Sequence, residues 1–557
     1  MAGQSRKWMI LVGTIWIQAF TGTNFDFSAY STEMKAALGV SQVELNYLAT
    51  ASDLGKALGW SSGLALMWMP LWAVLLVAAV MGLVGYGFQW FVLIGVFSPP
   101  YFLVFCLCLL SGCSITWFNT VCFVLCIKNF PANRALAISL TVSFNGVSAA
   151  LYALAANSID PSSSSLYLLL NALIPLLTSL AALIPILRQP ELDPLPPDAV
   201  QRDSFIFLFL NVLAVITGLY LLFFRSSNNG LTSSRLLFGG SIVLLVFPLC
   251  VPGIVYAREW FKQVHSSLRL DGSGFILVDD YDLEFHRELQ SGDESSNLAV
   301  NKVDAVKNDS CCETVIVKDQ LVMLGQEHSA SLLVRRLDFW LYYVAYFCGG
   351  TIGLVYSNNL GQIAQSLGQS SSTTTLLTLY SSFSFFGRLL SATPDYIRAR
   401  KFYFARTGWL ALALTPTPIA FFLLTGSGTA VALQTGTSLL GLSSGFIFAA
   451  AVSITSELFG PSSVGVNHNI LITNIPIGSL VYGLLSAIVY DSNSGPTQKI
   501  AMVTQTMICM GRQCYQWTFL LWGCLSLVGL VSSVLLFLRT RHAYGRFEHD
   551  RISSQVD

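Results

Sequence analysis

Runs of about 20 apolar residues recur along the whole chain, and they constrain its fold more than any other feature. Residues 71–97 and 101–127 are two of these runs, and each is long enough to cross the hydrocarbon core of a bilayer as a helix. Of the 557 residues, 54% are hydrophobic and only 11% are charged. Because a soluble domain has no use for so much apolar surface, the sequence predicts an all-α membrane protein embedded in the lipid bilayer.

The apolar runs fall into two sets of six. One set lies in residues 1–187 and the other in residues 337–557. Between them, residues 188–257 hold a proline-rich linker and two more apolar runs, at 204–224 and 236–256, which predict an inserted hairpin. Residues 258–336 contain acidic clusters, scattered lysine and few apolar runs, so they are expected to form a mostly disordered cytoplasmic loop. An even insertion keeps both sets in one orientation, which favours about fourteen spans.

Basic residues near the ends of the runs predict the orientation of the chain. They precede the first run, occupy the loop at 128–134 and follow the last run at 539–546. Since cytoplasmic loops carry an excess of lysine and arginine, both termini are expected in the cytosol. The membrane is either the plasma membrane or a vacuolar or other endomembrane.

Two short patterns occur twice in the same order, about 330 residues apart. A Leu-Gly-x-Ser sequence ends at Ser41 and again at Ser370. Further on, a glycine precedes a cation at Gly55-Lys56 and at Gly387-Arg388. Repetition in this order indicates two parallel structural repeats.

The second repeat continues into a segment with a family resemblance. Residues 387–401, which include Asp395 and Arg398, resemble the motif after the second helix of each half in transporters of the major facilitator superfamily. In that family the acid and the basic run hold neighbouring helices in one of two alternating states. The resemblance therefore implies a gating role for Asp395 and Arg398. Gly63 stands at the matching position of the first half, so the resemblance implies no gate salt bridge there.

Other segments are similar to one branch of that superfamily. They are residues 22–31, the Pro-Leu-Trp at 70–72, residues 128–137, Glu457-Leu-Phe-Gly460 and the Asn-His-Asn at 467–469. Together they resemble the plant nodulin-like, nuclear-fusion-defective-type branch, related to oxalate/formate and monocarboxylate transporters. The resemblance implies a major facilitator fold with two parallel six-helix bundles and, here, an inserted two-helix hairpin. It also implies a secondary transporter or facilitator of a small organic solute, with a carboxylate as one candidate, working by alternating access.

Arg388 is the main candidate for binding a substrate. It lies in an apolar helix, where a guanidinium must pair, reach the interface or face a water-filled cavity. Lys56, its counterpart, has Asp53 one helical turn before it, which predicts a structural ion pair. Arg388 has no such acid, which favours an anionic substrate, although a structural role between helices is an equal alternative.

Weaker candidates for substrate contacts are Tyr346, Tyr356, Asn119 and Asp26. Asp26 is expected near the outer end of a first span at residues 8–23, where polar groups either line a cavity or mark the water interface. Oxalate-type relatives use a basic residue in the penultimate helix. Because no lysine or arginine lies between Gly465 and Tyr490, the sequence argues against a dicarboxylate.

The sequence contains no pattern typical of an enzyme. It has no plausible catalytic triad, no Cys/His cluster with metal spacing and no GxxxxGK[ST] loop, so no catalytic residue, metal or cofactor is expected. Zero formal net charge argues against a nucleic-acid partner. Without a nucleotide site, transport would depend on a gradient, with a co-transported proton as one option. A receptor or signalling protein on the same fold is the alternative. Cys509 and Cys514 are close enough in sequence to form a disulfide.

Overall fold

The computed structural model describes residues 3–131, 133–161, 163–187, 197–224, 231–270, 321, 323–394, 404–460, 463–493 and 509–553. These ranges contain α-helices with short 3-10 and π turns and no strands. The helices form fourteen successive spans that run alternately in opposite directions.

The first six spans are single or divided helices. Spans 1 to 6 are Gly3–Thr21 with Phe27–Leu38, Gln42–Ala57 with Trp60–Ala65, Leu71–Leu93, Tyr101–Asn129, Arg134–Asn145 with Ser148–Ile159, and Ser165–Ile186. The inserted hairpin follows. Spans 7 and 8 are Pro197–Phe223 and Leu231–Val246 with Cys250–Leu270.

The last six spans repeat the same order. Spans 9 to 14 are Leu337–Tyr346 with Ile352–Ser366, Thr373–Leu390, Arg406–Leu414 with Pro416–Gly426, Ala430–Phe459, Val464–Ile472 with Asn474–Asn493, and Gln513–Ser553. Because the number of spans is even, both ends of the described chain lie at one face. That face is called the termini face below, and the other is called the opposite face.

Most spans satisfy the requirement for crossing a bilayer. Eleven helices in the described ranges are long and apolar enough, including both helices of the hairpin. Spans 1, 2 and 10 are not among these eleven. The prediction of an all-α membrane protein with an inserted hairpin is confirmed.

The first span is longer than the sequence indicates. The polar stretch after residue 23 does not end it, because a 3-10 turn at Thr23–Asp26 leads into a second helix that runs to Leu38. Gly22 lies at the break, where an added Cβ would come within 2.5 Å of the Asn145 carbonyl oxygen. The broken helix thus places polar residues such as Asp26 inside the bundle instead of at the water interface, which was one of the two alternatives left open by the sequence.

The repeated Leu-Gly-x-Ser sequence forms the same kind of turn in both halves. Gly39 and Gly368 end their helices with φ angles of +64° and +70°, a backbone conformation that glycine adopts without strain. In the first half, Ser41 then begins span 2 with a capping box to Glu44. The repeat in sequence therefore corresponds to a repeat in structure.

The described end of the 258–336 segment packs against the second bundle. His328 donates its backbone N–H to the Phe459 carbonyl oxygen at 3.1 Å, and Glu327 accepts hydrogen bonds from Ser463. Gly325 bonds to the Glu457 carbonyl oxygen at 2.7 Å. We propose that the C-terminal unit begins near Leu321, ahead of span 9.

Candidate functional site

A cavity of about 400 Å³ lies between the two bundles. Its wall includes Gly63, Ile127 and Val464, which lie at the termini-face ends of spans 2, 4 and 13. The cavity therefore opens toward the termini face.

The opposite face is closed by contacts between the bundles. Asn359 donates to Asn46 at 3.2 Å, and Gln362 donates to Ser31 at 2.9 Å. Gly361 packs so closely that an added Cβ would lie 2.4 Å from the Ser28 carbonyl oxygen. Amide and hydroxyl contacts between the bundles thus separate the cavity from this face.

The charged residues that line the cavity are all cations. Lys56, Arg388 and Arg406 contribute to the wall, whereas no aspartate or glutamate does so among the described residues. Lys56 pairs with Asp53 at 2.5 Å, and Arg406 pairs with Glu457 at 2.9 Å. Both counter-ions lie behind the wall, so the surface that a solute meets is positive.

Arg388 differs from the other two cations because no carboxylate in the described ranges pairs with it. Its side chain is buried, with an exposed fraction of 4%. One Nη contacts the Val142 carbonyl oxygen at 3.5 Å, and Nε has no hydrogen-bond partner among the described residues. The guanidinium carbon lies 5.5 Å from the Phe25 ring and 5.8 Å from the Phe448 ring, so cation–π contacts hold the group in place.

Asn145 supplies a second unmet donor in the same wall. Its Nδ2 is buried without a hydrogen-bond partner in the described structure. Asn145 lies one helical turn after Val142, whose carbonyl oxygen Arg388 contacts, and both donors border the same cavity. Buried donors without acceptors are costly, and an anionic oxygen would satisfy both of them.

Two of the weaker candidates line the cavity together with Arg388. Asn119 is in the wall, and its Oδ1 accepts a hydrogen bond from Gln18 at 2.8 Å. Tyr346 is also in the wall, with its ring 5.7 Å from Phe448. Span 4 and span 9 therefore bring these side chains to the same space as Arg388.

The other two weaker candidates lie elsewhere. The Tyr356 hydroxyl is bonded to Thr437 at 2.7 Å inside the second bundle, and the cavity wall does not include it. Asp26 is fully buried on the far side of the broken first span, where Oδ1 accepts from Asn171 at 3.1 Å. Packing within each bundle, rather than a solute, surrounds these two groups.

Asp53 contacts both bundles. Its Oδ1 binds Lys56 of its own helix, while its Oδ2 accepts a hydrogen bond from the Ser479 hydroxyl of span 13. Lys56 borders the cavity, with 10% of its side chain exposed. The pair that the sequence predicts as structural is thus also a link between the cavity and the second bundle.

Sequence reasoning did not find several residues of the wall. These are Asn24, Phe25, Trp60, Asn145, Phe448, His468 and Asn469. His468 lies in span 13, which has no lysine or arginine between Gly465 and Tyr490. Its imidazole could have indicated that this span contributes a polar side chain to the cavity wall. Lys56 had a signal too, because its position in the repeat matches that of Arg388.

The expected gate residues Asp395 and Arg398 lie outside the described residues.

Two family models cover most of the chain. The model described as Nodulin-like matches residues 7–253, and the model described as NFD4, C-terminal domain, matches residues 323–546. The protein NUCLEAR FUSION DEFECTIVE 4 of Arabidopsis thaliana is 59% identical over 556 residues, which is 99% of this chain and 92% of that protein.

The chain belongs to the nodulin-like family, of the NUCLEAR FUSION DEFECTIVE 4 type. The nodulin-like, nuclear-fusion-defective-type part of the resemblance seen in the sequence is thereby confirmed, whereas the relation to oxalate/formate and monocarboxylate transporters stays a prediction. The boundary of the C-terminal family model at residue 323 agrees with the packing of residues 323–336 against the second bundle.

Solved structures show the same fold at low sequence identity. A bacterial homologue of the human lysosomal transporter Spinster, in an inward-facing and unoccupied conformation, matches with a TM-score of 0.53 and 10% identity, covering 97% of this chain and 98% of that one. A structure of proton dependent oligopeptide transporters matches with a TM-score of 0.52 and 11% identity, covering 97% and 100%. The nodulin-like chain therefore has a transporter fold and is an integral multi-pass membrane protein.

Proposed function

We propose that the protein is a secondary transporter that moves a small organic anion by alternating access between its two bundles. The observation that most directly supports this proposal is the cavity wall, which has three cations and no carboxylate among the described residues. A carboxylate is the anion whose geometry best fits a guanidinium, because the planar group offers two parallel donors.

Energetics support a solute rather than a structural role for Arg388. A cation at the centre of a membrane helix costs about 2.5 to 3.5 kcal/mol on insertion scales. The cation–π contacts and the Val142 carbonyl oxygen compensate only part of this cost, because Nε has no partner in the described residues. A bound carboxylate would compensate it and would also accept from Asn145.

The fold supplies the movement that transport needs. The cavity opens at the termini face and is closed at the opposite face by contacts that involve small and amide residues. Breaking those contacts while closing the termini face would expose the same site to the other side. Asp395 and Arg398 remain our proposed gate residues at the termini face.

Uptake into proteoliposomes tests the proposal. The full chain is reconstituted, and labelled acetate, benzoate and oxalate are compared with glucose and choline as neutral and cationic solutes. We expect uptake of an organic anion and not of glucose or choline. Arg388→Gln should raise the half-saturation concentration by about 10- to 100-fold, since a hydrogen bond to a charged group contributes about 1.5 to 3 kcal/mol. Arg388→Lys should also impair binding, because a point charge replaces the fork.

A matched variant controls for the loss of a charge. Arg539→Gln removes an arginine that binds Asp338 at 2.7 Å, away from the cavity, and should leave the half-saturation concentration unchanged. Wild-type affinity in both Arg388 variants, or transport of choline instead of an anion, would return Arg388 to a structural role. Binding of an anion without any uptake would indicate a receptor on this fold.

A further inference from the structure

Asp53 of span 2 links the cavity to the second bundle, and transport must coordinate the two. On one side its carboxylate holds Lys56, whose ammonium group borders the cavity. On the other side it holds Ser479 of the second bundle. Asp53 itself is buried, with an exposed fraction of 1%. A change in its charge would therefore be felt both by a solute in the cavity and by the contact between the bundles.

We propose that Asp53 carries the proton that is moved together with the anion, and that Lys56 is a second anion-binding group released by that proton. This inference rests on the proposed anion transport. Before the anion binds, the Asp53 carboxylate pairs with Lys56. When the anion approaches Lys56, a proton from water binds Asp53, and the ammonium group then pairs with the anion. One proton and one negative charge enter the site together.

The repeat relationship supports a binding role for Lys56. Lys56 and Arg388 follow equivalent glycines in spans 2 and 10, and both border the same cavity. Arg388 has no paired carboxylate in the described residues, whereas Lys56 is occupied by Asp53. The site thus contains one cation that is ready for an anion and one that becomes ready only when Asp53 is neutral.

Lys56 is the charged group that pairs with Asp53. A small polar chamber next to Asp53 also contains the neutral side chains of Tyr30 from span 1, Tyr86 from span 3 and Cys108 from span 4. Asp26 of span 1 is a second buried carboxylate, which interacts electrostatically with Tyr30 and Tyr86 of this chamber. The remaining titratable groups on the spans packed against span 2 lie along or at the ends of those spans, as do those on span 2 itself: Arg6, Lys7, Glu33, Lys35, Glu44, Tyr47, Tyr101, Cys106, Cys113, Cys122, Cys126, Lys128, His468, Tyr482, Tyr490 and Asp491.

The same chamber offers room for the proton's carrier. Its volume is about 20 Å³, enough for one water molecule. Polar side chains line it, including Ser52, Gln89 and Asn358, and Asn24 belongs to both the chamber and the main cavity. A water molecule there would lie between the cavity and the Asp53 carboxylate, which gives a proton a short route.

Two transport measurements on the reconstituted full chain separate coupling from binding. Counterflow of labelled acetate, benzoate or oxalate, with the same pH on both sides, reports binding and alternating access. Accumulation driven by an inward proton gradient reports coupling. The wild-type protein should show both, and its counterflow should weaken as the pH rises, because each anion is proposed to bind together with one proton.

Asp53→Asn is the decisive variant. Asparagine has the shape of the protonated acid and leaves Lys56 available, so accumulation should be lost while counterflow persists and becomes independent of pH. Asp203→Asn is the matched control, since Asp203 forms a buried 2.5 Å pair with Lys7 away from the cavity. It should retain accumulation and the pH dependence of the wild-type protein.

Each of the following four results would contradict the inference. Gradient-driven accumulation by Asp53→Asn would place the proton on another group. Loss of both counterflow and accumulation in a well-folded Asp53→Asn protein would make the pair structural. Wild-type counterflow without any response to a proton gradient would exclude coupling but leave the proposed anion transport intact. Absence of both activities for all three anions would overturn the proposed function itself.

Discussion

At the scale of single residues, the two glycines before the cations explain how Lys56 and Arg388 reach the same cavity. An added Cβ on Gly55 would lie 2.0 Å from the Leu109 carbonyl oxygen, and one on Gly387 would lie 2.1 Å from that of Leu442. Span 2 thus contacts span 4 as closely as span 10 contacts span 12. Each glycine permits a close helix crossing, and the next residue is turned from the crossing toward the centre of the molecule.

Gly387→Ala should destabilise the protein by about 1 to 3 kcal/mol, because the methyl group meets a backbone carbonyl that cannot move without separating the helices. The measurement is the thermal stability of the purified chain in detergent. Gly239→Ala is the control, since Gly239 lies within span 8 and an added Cβ there has no neighbour within 4 Å. Equal stability of the two variants would show that the span 10–span 12 crossing is looser than the structure indicates.

At the scale of helices, the seal at the opposite face is formed by spans 1, 2, 9 and 13. Gly361 of span 9 packs on the backbone of span 1, and Gly483 of span 13 packs on Asn46 of span 2. Lys35 adds a cation–π contact, with its ammonium nitrogen 5.1 Å from the Tyr490 ring. Because glycines in this seal pack directly on the backbone and side chains of the other bundle, the seal is sensitive to small changes in volume.

Gly361→Ala should shift the protein toward a state that is open at the opposite face, because the methyl group would lie 2.4 Å from the Ser28 carbonyl oxygen in the closed seal. Cys108, which lines the small chamber beneath the seal, provides a native probe. A membrane-impermeant thiol reagent applied from that face should label Cys108 faster in the variant than in the wild-type protein.

Two further variants control the labelling. Cys108→Ser identifies the labelled position, and Gly426→Ala adds a methyl group at the same face where no atom lies within 4 Å. Labelling that is unchanged in Gly361→Ala would mean that this contact does not limit opening.

At the scale of the whole molecule, the inserted hairpin contains an even number of spans and so preserves the parallel arrangement of the two bundles. Span 7 is tied to span 1 by the Lys7–Asp203 pair and by ring contacts of Trp8 with Phe207 at 5.1 Å. It also reaches span 10, where Gly218 packs on Phe385. The hairpin is therefore an integrated part of the membrane domain that contacts both bundles.

The same arrangement predicts that both termini and the segment between spans 8 and 9 face the cytosol. A cysteine introduced at Ser291 should be labelled by an impermeant reagent only after the membrane is permeabilised. A cysteine introduced at Ser492, near the opposite-face end of span 13, is the matched positive control in intact cells. External labelling at position 291 would invert the topology of the whole chain. Ser291 itself lies outside the described residues.

The sequence by itself determined the membrane class, the hairpin, the two repeats and the family, because these depend on the length of apolar runs and on local motifs. It also determined the turns at Gly39 and Gly368 and the pairing of Asp53 with Lys56, which are contacts within a few residues. Arg388 could be identified as a candidate site because a charged side chain in an apolar helix is costly unless it pairs, reaches the interface or faces a water-filled cavity.

Only the tertiary structure decided which polar groups share the cavity. Tyr346 and Tyr356 lie on one span, yet packing places one in the cavity wall and the other against Thr437. Asp26 follows the break in span 1, where Gly22 packs closely on the backbone of Asn145 in span 5. Its carboxylate bonds to Asn171 and lies outside the cavity wall. Ser479 meets Asp53 across more than 400 residues of chain, at a separation of 426. Such contacts depend on how two bundles dock, and no local pattern in the sequence records that geometry.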